Sequence, residues 1–118
     1  RVELIEGVLI PMSPIHSRHA GCVKRLSALF HRRLARKAII GTQDPVVLDR
    51  HTEPQPDLTL LAPRADFYST RHPRPDDVLL IVEVADTSLL YDRRTKLPLY
   101  ARACIREVWL IDLQAQAI

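Results

Sequence analysis

Val78–Val84, read VLLIVEV, constrains the fold of this chain more than any other stretch. Six of its seven residues are aliphatic, and Val78 to Val82 form an unbroken apolar run. A short run rich in β-branched residues and lacking alternation describes a strand covered on both faces, so the chain must supply a layer on each side of it. Glu83 is the lone acid inside the run. Burying a carboxylate costs on the order of several kcal/mol unless a partner compensates. An arginine at a frayed strand end is one such partner, and a bound cation is another. The surroundings of Glu83 decide between them.

A chain of 118 residues has room for one domain, 1–118, with a single core of useful size. Its 47% hydrophobic and 26% charged residues exclude the disordered class. No apolar run approaches the roughly 20 residues that span a bilayer, and no signal peptide is visible, so no membrane partner and a cytoplasmic setting are expected. Cys22 and Cys104 lie in apolar contexts without CxxC spacing, which reads as buried free thiols rather than a disulfide or zinc site. A net charge of +3 permits a polyanionic partner without demanding one. The first residue is not methionine, and the chain stops just after a strand signal. Both ends are therefore expected to be truncated, with a further strand beside Glu107–Leu113.

Along the chain, Val2–Leu4 and Val8–Ile10 flank Glu6-Gly7 as a β-hairpin would. From Ser17 the spacing turns helical: Cys22, Val23, Leu26, Leu29, Phe30 and Leu34 share a face, with Ser17 or Ser13 as cap and Gly41 as terminator. The opposite face carries Arg18, Lys24, Arg25, Arg32, Arg33, Arg36 and Lys37, which suits a solvated surface or a grip on phosphates. His19 shares the inward face, the usual place of a satisfied core histidine. Pro45–Leu48 and Asp57–Leu61 read as strands, and Ala62–Asp77 as a long proline-bearing connection. Asp86-Thr87-Ser88 offers capping chemistry to a second helix, Tyr91–Ala103, which Pro98 must kink or restart near Lys96. Glu107–Leu113 is the last strand, with Trp109 in the core. The order β-β-α-β-β-β-α-β gives an α/β domain with a mixed sheet.

Asp57, Glu83 and Lys96 carry the chemistry. If the strands of Asp57 and Glu83 pair antiparallel, the two carboxylates meet at one sheet edge. There they repel unless a divalent cation lies between them, and oxygen ligands completed by water and substrate phosphate suit Mg²⁺, with Mn²⁺ as the substitute. Lys96 would orient an attacking water or stabilise charge developing on phosphorus; the plainer role is a surface ion pair with Asp92.

Stretches Glu3-Leu4-Ile5-Glu6-Gly7, Met12-Ser13-Pro14 with His19, Gln55-Pro56-Asp57-Leu58, and above all Val82 to Leu113, VEVADTSLLYDRRTKLPLYARACIREVWLIDL, resemble the Uma2 family of the PD-(D/E)XK nuclease superfamily. The resemblance implies a restriction-endonuclease-like mixed β-sheet flanked by helices. It makes Pro56-Asp57 the PD and Glu83 the acid of (D/E)XK, and it implies Mg²⁺-dependent hydrolysis of DNA by an activated water. The lysine of that element is replaced by Ala85, and the resemblance moves it to Lys96 on the next helix. His19 and Glu3 would support the site from behind. Arg25, Arg32, Arg33 and Arg36 would contact DNA backbone, and symmetric cutting of a duplex would call for a homodimer.

Two rivals stand beside this endonuclease. A catalytically silent module could bind nucleic acid or protein on the same fold, although a dead site has no chemical reason to keep Asp57, Glu83 and Lys96 together. A phosphohydrolase for a small nucleotide would want a glycine-rich phosphate loop, and the chain has only three glycines.

Overall fold

The computed structural model describes residues 2–12, 14–87 and 91–114. Strands β1 (Val2–Ile5) and β2 (Val8–Pro11) form the expected antiparallel hairpin around Glu6 and Gly7, the latter at φ +83°. Helix α1 (Ser17–Leu34) follows, then β3 (Ile39–Thr42), β4 (Leu58–Leu61) and β5 (Val78–Ala85). A π-turn (Asp92–Lys96) leads into the short helix α2 (Leu97–Arg102), and β6 (Val108–Asp112) closes the order.

The main sheet runs β3-β4-β5-β6, with β3, β4 and β5 antiparallel and β6 parallel to β5. It is the restriction-endonuclease-like mixed sheet that the resemblance implies. Because β5 is buried on both faces, its alternation splits the core in two. Leu80, Val82 and Val84 pack with Val23 and Phe30 of α1, while Ile81 packs with Tyr100 of α2, joined by Val78, which a register shift against β4 sets off the alternation. Fully burying each such aliphatic side chain contributes about 1.5–3 kcal/mol, so the unbroken run fixes β5 at the centre. Glu83 continues the row of Ile81 and therefore faces α2.

Four sequence expectations are corrected. Gly41 does not end the helix, which stops at Leu34; it lies in β3, where a Cβ would come within 2.5 Å of Thr59 Oγ1. Close strand approach is what requires glycine there. Pro45–Leu48 is not a strand: its amides bond different neighbours, Val46 N–H to Pro54 O, Val47 N–H to Pro73 O and Leu48 N–H to Thr52 O, so no ladder forms. Val46 is nevertheless fully buried, which accounts for the apolar signal. Ser17 is the first helical residue, and the cap position belongs to His16 without a side-chain bond; Ser13 lies outside the described residues. Cys104 is exposed at φ +63° and Cys22 half-buried, both as free thiols.

The second helix shows how Pro98 is accommodated. The Leu97 N–H donates to Asp92 O, an i→i−5 bond, so the chain widens into a π-turn just before the residue that lacks an N–H. Ser88, expected to help cap this helix, lies outside the described residues. Trp109 is half-buried against Phe30, ring centroids 5.9 Å apart.

Candidate functional site

Strand register does most of the positioning. Leu58 of β4 lies opposite Val82 of β5, which sets Asp57, one residue before β4, beside Glu83. The two acids then take each other's strands as donors. Asp57 N–H donates to Glu83 Oε1 at 3.1 Å, and Val84 N–H donates to Asp57 Oδ2 at 2.7 Å. Asp57 and Glu83 are both buried, so their charges need partners close by.

Those partners come from the layers on either side of the sheet. His19, in the first turn of α1, sets its Nε2 3.1 Å from Asp57 Oδ1. From the π-turn, the Lys96 ammonium contacts Glu83 Oε2 and donates to Glu3 Oε1 at 2.7 Å. Tyr100 follows Lys96 by four residues, one helical turn, and donates to the same Glu83 Oε2 at 2.8 Å. Glu3 Oε1 also accepts the Gln55 N–H at 2.8 Å, which ties the hairpin to the segment leading into Asp57.

The electrostatics follow from this packing. Burial pushes the Glu83 carboxyl up to about 7; the Lys96 charge draws it down, and the Asp57 charge adds to the rise. Burial alone would lower Lys96, but Glu83 and Glu3 outweigh it and hold the ammonium above its ordinary value. His19 is raised chiefly by its hydrogen bond to Asp57, with burial opposing. Tyr100 is raised well above the usual phenol by burial, so it remains a donor.

Glu3, His19, Asp57, Glu83 and Lys96 line one cavity of about 570 Å³ together with Tyr91 and Asp92, while Tyr100 supports Glu83 from behind it. Among the described residues, each oxygen of Asp57, and Glu83 Oε1, accepts a single donor and keeps a lone pair. Two carboxylates with room for water fit a small hard cation such as Mg²⁺, which keeps several waters and needs few protein ligands. Among the described residues no three His, Cys, Asp or Glu side chains converge as a ready-made cage. The protein's own share would be Asp57 and Glu83.

Of the residues singled out in the sequence, Asp57, Glu83, Lys96, His19 and Glu3 are brought together. Ala85 is fully buried, and the ammonium beside Glu83 is that of Lys96, from the π-turn. His19 is no plain core histidine, since it meets a carboxylate. Lys96 pairs with Glu3 and Glu83 where the sequence offered Asp92. The exposed Arg25, Arg32, Arg33 and Arg36 do not line the cavity. Arg32 lies about 20 Å along α1 from His19 at 1.5 Å per residue. Tyr100 and Tyr91 were missed as site residues; the spacing of Lys96 and Tyr100 was the available signal for the first.

No helix among the described residues is long and apolar enough to cross a membrane. No curated protein matches the chain. A family model does: that of Uma2, described as "Putative restriction endonuclease", over residues 1–118.

Proposed function

From the premise that this chain belongs to the Uma2 family, we propose that it is a metal-dependent nuclease that hydrolyses phosphodiester bonds in DNA. The observation that carries this reading is the pair Asp57 and Glu83, side by side on antiparallel strands with the Lys96 ammonium against Glu83. Asp57 and Glu83 would hold Mg²⁺, which when bound supplies Lewis acidity and an activated water.

The chain's own residues prepare the rest. Tyr100 and the Asp57 N–H fix both oxygens of Glu83, so its carboxylate is aimed before any ligand arrives. Val84 N–H and His19 do the same for Asp57. Lys96 carries positive charge to the edge of the cavity, where it would orient water and offset charge on phosphorus. Glu3 limits how far that ammonium can move. The arginines of α1 would add sequence-independent backbone contacts outside the cavity.

One observation favours a second reading, a silent binding module. Lys96 is only 4% exposed, and its ammonium is occupied by two carboxylates. Calorimetry with Mg²⁺ and Mn²⁺ on the wild type, Asp57→Ala and Glu83→Ala, followed by incubation with plasmid DNA, separates the two. Metal binding lost in both variants and metal-dependent cleavage by the wild type are expected. DNA binding with neither metal affinity nor cleavage would overturn the nuclease and establish the module.

A further inference from the structure

Among the described residues, only two buried side-chain polar atoms have no hydrogen-bond partner: His19 Nδ1 and the Tyr91 hydroxyl. Both residues line the cavity that holds Asp57 and Glu83. Burying a donor unpaired costs about 1–3 kcal/mol, and folded proteins rarely leave one so. His19 already meets Asp57 through its other nitrogen. Tyr91 has no such second duty.

The position of the phenol is set by the backbone. In an α-helix, residues five apart diverge around the axis, whereas a π-turn, with its i→i+5 bonding, brings them towards one face. The turn over Asp92–Lys96 therefore brings Tyr91 and Lys96 towards the same side. Tyr91 lines the same cavity as Glu3, Lys96, Asp92 and Glu83, the groups already assigned to the site. A protonated phenol in that company is a neutral donor. It can accept a phosphate oxygen as partner without adding to the local charge.

We propose that Tyr91 is a substrate-contacting residue of this site: its hydroxyl donates a hydrogen bond to a non-bridging oxygen of the phosphodiester seated in the cavity. The assignment rests on the nuclease reading and adds to it the fourth chain group, after Asp57, Glu83 and Lys96, that touches the reacting unit. The π-turn gains a reason as well, since an α-helical path would part Tyr91 from Lys96.

Tyr91→Phe removes a single oxygen and keeps the ring, so packing is conserved. The probes are a fluorescein-labelled DNA duplex, followed by anisotropy in Ca²⁺ and by cleavage in Mg²⁺, and the same duplex with either phosphorothioate diastereomer at the cut position. The expected result is a melting temperature at or above that of wild type, because an unpaired buried hydroxyl is removed, with Mg²⁺ affinity unchanged. Cleavage should fall about 10- to 100-fold, and the rate difference between the two diastereomers should shrink. A structural role would not alter that difference. Wild-type cleavage matched by Tyr91→Phe, or a loss that tracks lowered melting and metal affinity, overturns the assignment of Tyr91 and leaves the nuclease standing. A wild type that neither binds nor cuts the duplex overturns both.

Discussion

Asp57 and Glu83 brace each other through the main chain. The Asp57 amide donates to the Glu83 carboxylate at 3.1 Å, and the amide after Glu83 donates to the Asp57 carboxylate at 2.7 Å. Two buried acids are thus held at short range by the strand pairing itself, and the Asp57 charge adds to the rise of the Glu83 carboxyl that burial begins.

That arrangement predicts opposite effects on folding and function at Asp57. Asp57→Asn retains an oxygen for the Val84 N–H and removes one of the two repelling charges, while turning its NH₂ towards His19 Nε2, which offsets part of that gain. Its melting temperature in the absence of metal should stay within a few degrees of wild type, or rise, while Mg²⁺ binding is abolished. Calorimetry beside thermal melting checks this, and retained metal affinity would remove Asp57 from the ligand set.

At Lys96 the balance is reversed. Lys96→Met leaves Glu3 and Glu83 buried without their shared cation, which should cost about 3–5 kcal/mol in urea unfolding. Adding Glu3→Gln to that variant should recover part of the loss, because one stranded charge is gone. Additive losses in the double-mutant cycle would mean the pair is not coupled.

The pH dependence has a definite sign. His19 is raised above 6.5 and Glu83 above 4.5, to about 7, so both hold protons more tightly when folded. Their contribution to stability is present in full below the unfolded values and is lost as pH rises through the folded ones. Asp66 and Asp77 are lowered and act in the opposite direction, below about pH 4, outside this window. Melting without metal should therefore fall between pH 5 and 8. Protons on Glu83 compete with a cation, so Mg²⁺ affinity should rise over the same range. A rising melting temperature across that window in EDTA would contradict both shifts.

Gly41→Ala tests the packing under the site. The added methyl meets Thr59 Oγ1 at 2.5 Å, and overpacking of this kind costs about 1–3 kcal/mol. Thr59→Ala in the same chain should return part of the loss, as read from urea midpoints.

Much of this was legible in the residues. The unbroken run Val78–Val82 located the central strand, and antiparallel pairing with the strand after Asp57 predicted the meeting of two acids. Period and spacing carry such information because core burial enforces them. Pro45–Leu48 and Gly41 misled for one reason: apolar burial without a ladder, and glycine used for close approach, look locally like a strand and a helix end. Tyr100 gave no local sign of a role beyond its spacing from Lys96, because its ring is core; only its hydroxyl reaches Glu83. The pairing of Glu3 with Lys96 has no local signature, since it joins elements that meet only in three dimensions.

That last contact has a kinetic consequence. Glu3 and Lys96 are 93 positions apart, and the hairpin that carries Glu3 is fastened to the body near Glu53 and His51. Closing so large a loop delays the contact until most of the sheet exists. Lys96 therefore acquires its full set of counter-ions among the last events of folding. A partly folded chain would carry both acids without the final arrangement around them, so the site is complete only in the finished fold.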